Sequence, residues 1–271
     1  MERIAILTTL INKELYDKSA QLFPQCDVRY VIEGRYKLFG IDSIYLMMRR
    51  LSGKGIDWLI MSDEDVLFVN PDGVRDIIED LRQSGEILCG VRDGGQIPGR
   101  TYSPFVINTF FSVINFRKLE AIWDKREVSR QQYIRPGEFE EPLDTLPGPY
   151  DADSLYEPYY RFYFWLRRKG EKIRFLHAER PFDDDEKTTL VYDTRGRKLL
   201  YHTWYARLYG IDARHTRRID RVFDLLGFRP ATPPAYTLLH DKTFRYRRAL
   251  RKFIIRVVMK IEKITGKKLR G

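Results

Sequence analysis

Between Ile56 and Val69 the chain sets three consecutive acids, Asp63-Glu64-Asp65, between two short apolar runs. The first run, Trp58 to Met61, is too short for a helix and is bounded by polar residues, so it reads as a buried strand. The second, Val66 to Val69, ends at the turn Asn70-Pro71-Asp72-Gly73. Three carboxylates at the tip of a buried strand repel one another and are costly to desolvate, so a bound cation is the natural compensation. Asp63 and Asp65, two residues apart, suit a single ion in an extended or turning backbone. Hard oxygen donors in that number suit Mg²⁺ or Mn²⁺ held together with a substrate phosphate. Without an ion the same acids read as a solvated turn.

The flanking sequence builds an α/β unit around this strand. Ile4 to Leu7 reads as a strand ending in Thr8 and Thr9, Asn12 to Leu22 as a helix, and Cys26 to Ile32 as a strand with alternating apolar residues. Strand, helix, strand at this spacing opens a nucleotide-binding fold. There is no Gly-X-Gly-X-X-Gly and no Gly-Lys-Ser/Thr loop, so neither a dinucleotide fingerprint nor a P-loop is present. Asp42 to Leu51 is an amphipathic helix with Asp42 as its expected N-cap; its Arg49 and Arg50 are either solvated or within reach of a diphosphate. A helix from Asp72 and Gly73 to Leu81 and a strand from Glu86 to Val91 follow. The acids therefore fall at the carboxyl end of a strand, where open α/β sheets collect their ligands.

Apolar strand, Asp-Glu-Asp, apolar strand resembles the Asp-X-Asp motif of GT-A glycosyltransferases, and the order of elements over roughly residues 1 to 205 is similar to theirs. The resemblance implies a Rossmann-like mixed central sheet flanked by helices. It further implies a divalent cation, Mn²⁺ or Mg²⁺, and a nucleotide-sugar donor, with UDP the expected nucleotide. On this resemblance Asp63 and Asp65 hold the metal, and His202, at the end of the apolar run from Leu199, is a candidate third ligand. Thr8 and Thr9 match the strand end that meets the nucleotide, and Arg49 is a candidate for the diphosphate. Asn108 and Thr109, in a stretch from Ser103 to Phe116 read as a strand pair leading to a helix from Lys118, match polar anchors of the donor-sugar pocket. Asp153 and Glu157 precede a helix from Tyr159 to Lys169 and match the acceptor-side carboxylate that serves as base in inverting members; N-terminal helix capping is their other role.

Other segments take plainer readings. The loop Arg92 to Arg100, with three glycines and a proline, permits close backbone approach to a ligand or simply turns. Residues 126–150, poor in periodicity, read as an acceptor-side flap. Lys172 to Leu176 is expected to be the last strand of the body, and Asp183 to Glu186 a solvated acidic loop. Cys26 and Cys89 are isolated, which suits a reducing compartment and buried thiols.

The net charge of +10 sits in one place. Residues 242–271 hold twelve of the 48 Lys and Arg but one of the 38 acids, leaving 36 bases and 37 acids for the remainder. A groove for nucleic acid would spread its bases along the body, so nucleic acid is not the expected partner. From Phe244 to Thr265 apolar residues recur as one helical stripe, Tyr246, Leu250, Phe253, Ile254, Val257, Val258, Ile261 and Ile264, opposite a basic face. This is the pattern of a helix lying in a membrane interface, or of one that packs on the body or a partner subunit. No apolar run is long enough to span a bilayer.

The sequence thus leads to a catalytic domain over residues 1–210 and a helical extension over 211–271. The expected function is a metal-dependent, hexosyltransferase-like enzyme on the cytoplasmic face of a membrane, with a lipid-linked or surface-glycan acceptor as in lipopolysaccharide or capsule assembly. A nucleotidyl or phosphoryl transferase using the same acids, and a non-catalytic membrane or nucleic-acid adaptor, are the alternatives.

Overall fold

The computed structural model describes residues 2–94, 99–100, 102–141, 143–146 and 149–265. The chain opens with β1 (Ile4–Leu10), α1 (Lys13–Ser19) and β2 (Val28–Glu33), followed by α2 (Ile41–Leu51), β3 (Trp58–Ser62) and β4 (Val66–Phe68). Next come α3 (Gly73–Ser84), β5 (Leu88–Arg92), β6 (Ile107–Asn115), α4 (Phe116–Ile122), α5 (Lys125–Ser129) and α6 (Tyr160–Arg168). The chain continues through β7 (Ile173–Phe175), β8 (Ala178–Glu179), β9 (Thr189–Tyr192) and β10 (Lys198–His202). It finishes with α7 (Ala213–Leu225), β11 (Thr237–Leu239) and α8 (Phe244–Thr265).

A seven-stranded sheet in the order β11-β2-β1-β3-β6-β5-β7 forms the centre. Its strands run parallel except β6, which is antiparallel to both β3 and β5. This is the Rossmann-like mixed α/β class that the sequence leads one to expect. Alternate residues of one strand serve opposite faces, as the two-residue period of a strand requires. Ala5, Leu7, Leu59 and Met61 face the core under α2 and α6, while Ile6, Trp58 and Ile60 face the core under α1 and α3. β3 is buried along its whole length, which explains its unbroken apolar run.

A second, antiparallel sheet in the order β4-β10-β9-β8 packs beside the first. The three acids lie in the turn where the chain leaves β3 in one sheet and enters β4 in the other. α7 covers this smaller sheet through Ile219, Val222 and Phe223 against Leu67, Leu190 and Tyr201.

Several local expectations change. Lys172 to Leu176 is not the last strand of the body: β8, β9 and β10 build the small sheet, and β11 pairs with β2 at the edge of the large one. The chain beyond residue 210 therefore contributes α7 and β11 to the body before α8 begins. Ser103 to Phe116 holds the single strand β6, because Pro104 brings no N–H and a turn precedes Ile107. Gly40, not Asp42, caps α2; its φ of 58° favours glycine, and Asp42 falls in the first turn, 3.6 Å from Arg251. Asp185 is buried, with its carboxyl accepting from the Lys187 and Thr188 N–H groups at 2.8 and 3.2 Å, so the acidic loop is solvated only in part. Among the described residues of the 126–150 segment, Glu138 and Glu141 pair with Arg168 and Arg167 of α6. Residues 142, 147 and 148 of that segment, 95–98 of the glycine loop and 266–271 of the tail lie outside the described residues.

Candidate functional site

The acid corner is held from two sides. The Asp63 N–H donates to the Phe110 carbonyl of β6 at 2.8 Å, and the Val66 N–H donates to the Asp63 carbonyl at 3.2 Å, closing a tight turn. The Asp65 carbonyl accepts from the Thr203 N–H at 2.9 Å and the Thr203 hydroxyl at 3.1 Å, just beyond β10. Asp65 Oδ2 accepts from the Ala206 N–H at 3.3 Å, and its Oδ1 lies 3.4 Å from His202 Nε2. Glu64 turns the other way: its Oε1 accepts from the Ile11 and Asn12 N–H groups at 3.0 and 3.2 Å, tying the corner to the end of β1.

Asp63, Glu64 and Asp65 line a cavity of about 510 Å³, within the size range of small-molecule sites. Thr9 and Ile11 at the end of β1 form one side, with Gly40 and Ser43 at the start of α2. Asn108, Thr109 and Phe110 of β6 form the floor, and Glu157 and Tyr159 before α6 another side. Trp204 to Leu208 close the remaining wall. Trp204 and Tyr205 both have positive φ, 56° and 62°, a conformation that side chains rarely adopt and that clusters at functional sites.

The three acids are unequally compensated. Burial, then the charges of Glu64 and Asp65, hold the Asp63 carboxyl well above its usual range. Burial and Asp65 push Glu64 up to about 7, against the two N–H groups it accepts from. Burial also opposes ionisation of Asp65, but His202 and the Ala206 N–H more than offset it and hold this carboxyl low. His202, stacked on Phe110 at 3.8 Å between ring centres, is driven down by burial against the pull of Asp65.

Among the described residues no three His, Cys, Asp or Glu side chains converge into a ready-made metal cage. Mg²⁺ and Mn²⁺ bound with a phosphate need no such cage, because one or two carboxylates, waters and phosphate oxygens complete the shell. Asp63 and Asp65 fit that requirement: they are acidic oxygens on a cavity wall with excess negative charge. His202 holds Asp65 through Nε2, while its Nδ1 is buried with no hydrogen-bond partner.

Of the residues singled out in the sequence, Thr9, Asp63, Asp65, Asn108, Thr109, Glu157 and His202 come together around this cavity. Three do not. Thr8 is fully buried on the face of β1 opposite Thr9, with its hydroxyl unpartnered. Arg49 is drawn away by Asp241 at 2.6 Å. Asp153 is exposed and outside the cavity lining, four residues before Glu157. The amide of Asn108 is already committed, donating to Asp93 at 2.8 Å.

Sequence reasoning missed the cations. Arg100 lines the cavity, with its guanidinium 4.2 Å from the Tyr102 ring centre, 5.1 Å from that of Trp204 and 3.9 Å from the Glu157 carboxylate. It is fixed by Asp93, which accepts from its Nε and Nη2 at 3.1 and 2.9 Å and from the Tyr159 and Tyr160 hydroxyls at 2.7 Å each. Arg207 is the second cation of the lining. The acid at a strand end followed by an arginine seven residues on, across a glycine turn, was the available signal.

No protein-family profile matches the sequence, and no characterised protein matches it in sequence. Solved structures share parts of the backbone. The mannosyltransferase PcManGT from Pyrobaculum calidifontis, solved with GDP-Man and Mn²⁺, is 7% identical over 44% of this chain and 46% of its own, with a TM-score of 0.29. The match thus spans less than half of that enzyme. A glycosyltransferase involved in glycosylation of the major capsid of PBCV-1 is 18% identical over 54% of this chain and 71% of its own, with a TM-score of 0.33. A protein from STIV is 15% identical over 74% and 94%, with a TM-score of 0.34. These likenesses are partial and concern the backbone alone.

Proposed function

We propose that the protein is a metal-dependent glycosyltransferase that moves a sugar from a nucleotide-sugar, with UDP the first nucleotide to test, to a glycan or lipid-linked acceptor. The observation that carries this reading is the pair Asp63 and Asp65, two acids two residues apart on the wall of a cavity large enough for such a donor, with Asp63 held above its usual range by burial and its acidic neighbours. In this reading both carboxylates hold Mn²⁺ or Mg²⁺, and His202 keeps Asp65 in place. The ion, when bound, neutralises charge building on the departing diphosphate. Arg100 and Arg207 add fixed positive charge for the same group. Thr9 lies on the nucleotide side, and Asn108 and Thr109 on the sugar side. As the bond from the anomeric carbon to the diphosphate breaks, the acceptor oxygen bonds to that carbon. Glu157 takes the hydroxyl proton if configuration inverts.

The apolar stripe and basic face of α8 support a peripheral place on an anionic, cytoplasmic membrane face; no described helix is long and apolar enough to cross a membrane. Isothermal titration with UDP, GDP and other nucleotides, with and without Mn²⁺, tests the catalytic reading. Metal-dependent binding that disappears in Asp65→Ala is expected. Binding that is equal without metal, or none for any nucleotide, refutes it. Release of free sugar-acceptor product, rather than transfer of a nucleotidyl or phosphoryl group, separates this reading from the other acid-based transferases.

A further inference from the structure

One short loop serves both the cavity and the C-terminal helix. Residues 34–40 lead from β2 to α2; Phe39 and Gly40 line the cavity, and Tyr36 receives the first turns of α8. Arg248 Nη1 donates to the Tyr36 carbonyl at 2.7 Å, and the Arg245 guanidinium lies 5.2 Å from the Tyr36 ring centre. Phe244 is buried in the core under α2, and Arg251 reaches Asp42. On the other flank of the loop, the Arg207 guanidinium lies 6.0 Å from the Phe39 ring centre.

The side of α8 that meets the body is thus fixed by Phe244, Arg248 and Arg251. At 3.6 residues per turn, Tyr246, Leu250, Phe253, Ile254, Val257 and Ile261 turn away from it, and all six are exposed. Tyr246, at the start of the stripe, shares a cleft with Tyr36; Tyr36 at 56%, Phe39 at 39%, and Ile11 and Tyr205 on the cavity lining are further exposed apolar side chains. α8 carries eight Lys and Arg and the single acid Glu262; Arg247 and Arg251 pair with Asp241 and Asp42 of the body, which leaves six bases of α8 beside the exposed Lys37 of the loop.

We propose that α8 and the 34–40 loop form one lipid-contacting surface that holds the cavity mouth against an anionic bilayer. It follows, resting here on the glycosyl-transfer reading, that the acceptor is the headgroup of a membrane lipid and not a soluble glycan. Charge selects the occupant: each base near an anionic leaflet tightens binding about fivefold, a gain that a protein partner covering only the apolar stripe would forgo. Distance sets the geometry. A helix with its side chains is about 10–12 Å thick, so the loop gripped by its first turns lies within about one helix diameter of the surface its stripe enters. A sugar-bearing headgroup stands at that height, with its tail left in the bilayer.

The full-length protein is sedimented with vesicles of phosphatidylcholine, alone or mixed with phosphatidylglycerol, while hydrogen exchange is followed over residues 34–40. Nucleotide binding with Mn²⁺ is measured in the same samples. The variants are Leu250→Asp with Phe253→Asp on the stripe, and Tyr36→Asp on the rim, outside the cavity at a φ of 56° that aspartate tolerates better than most residues. Binding to the anionic vesicles is expected, with 34–40 protected on binding and both variants weakened, Tyr36→Asp by about fivefold or more from its added charge. If the stripe variant loses vesicles while Tyr36→Asp and the exchange of 34–40 are unchanged, the rim makes no contact and the proposal falls. It falls equally if no vesicle is bound, whether or not α8 mediates self-association. Vesicle contact at the rim without metal-dependent nucleotide binding overturns the acceptor assignment and the enzyme reading alone.

Discussion

Replacing Asp93 should cost more stability than replacing any acid that lines the cavity. Asp93 follows β5, has no exposed surface, and accepts from Arg100, Asn108, Tyr159 and Tyr160 at 2.7–3.1 Å. It therefore joins β6, the approach to α6 and a cavity cation through one carboxylate. Removing one partner of a buried, hydrogen-bonded ion pair costs about 3–5 kcal/mol, because the other charge is left unpaired. The Arg100 side chain is 19% exposed and can recover water from the cavity, which places Asp93→Ala near the lower end, about 3 kcal/mol. Asp93→Asn keeps an acceptor oxygen and loses the charge, so about 2 kcal/mol is expected. Urea unfolding followed by far-UV circular dichroism measures both. The cycle with Arg100→Ala should show a coupling of at least about 1 kcal/mol, since the two groups share their principal contact. A loss below about 1 kcal/mol for Asp93→Ala, with additive behaviour in the cycle, would refute the idea that this carboxylate anchors the site.

Two predictions concern pH. Burial, then the Asp93 charge, raises the Glu157 carboxyl against the pull of Arg100. As a base Glu157 acts when ionised, so the transfer rate should climb with pH above the ordinary carboxylate range, flatten in Glu157→Gln, and shift further upward in Arg100→Gln. The stability contribution has the opposite sense, present below the unfolded value and lost as pH rises through the folded one; a rate limb at ordinary carboxylate pH contradicts the assignment. Burial opposes ionisation of Asp241, but Arg49, Arg247 and Thr243 outweigh it and hold this carboxyl at about 2. Its contribution is present above the ordinary carboxylate value and lost as pH falls towards 2. Discounted for solvent screening, Asp241→Asn should cost about 1 kcal/mol at neutral pH and nothing in strong acid, read from thermal melts.

The parts of the site that were legible in the sequence are those set by local pattern. The apolar run of β3 and the acids after it need no distant partner to be recognised, and the stripe of α8 follows from spacing alone. Thr8 and Thr9 could not be separated, because only the pairing of β1 in its sheet decides which of two neighbours faces the ligand side. Arg49 was lost to Asp241, 192 residues later in the chain. The Asp93–Arg100 pair joins two residues seven apart in the chain and depends on the arrival of Tyr159 and Tyr160 from before and within α6. β11 is three residues long and acquires its meaning only beside β2.

Asp63 hangs from β6 in the large layer, and Asp65 from the strand end of β10 in the small one. The gap between their carboxylates is therefore a gauge of how the two layers seat against each other. If the protein works as proposed, an ion gripped by both would act as a bolt through that joint, and loading a nucleotide and tightening the layers would become a single equilibrium. Substitutions far from the cavity, in the seam between α7 and the small sheet, would then reach a bound donor by changing the width of that gap.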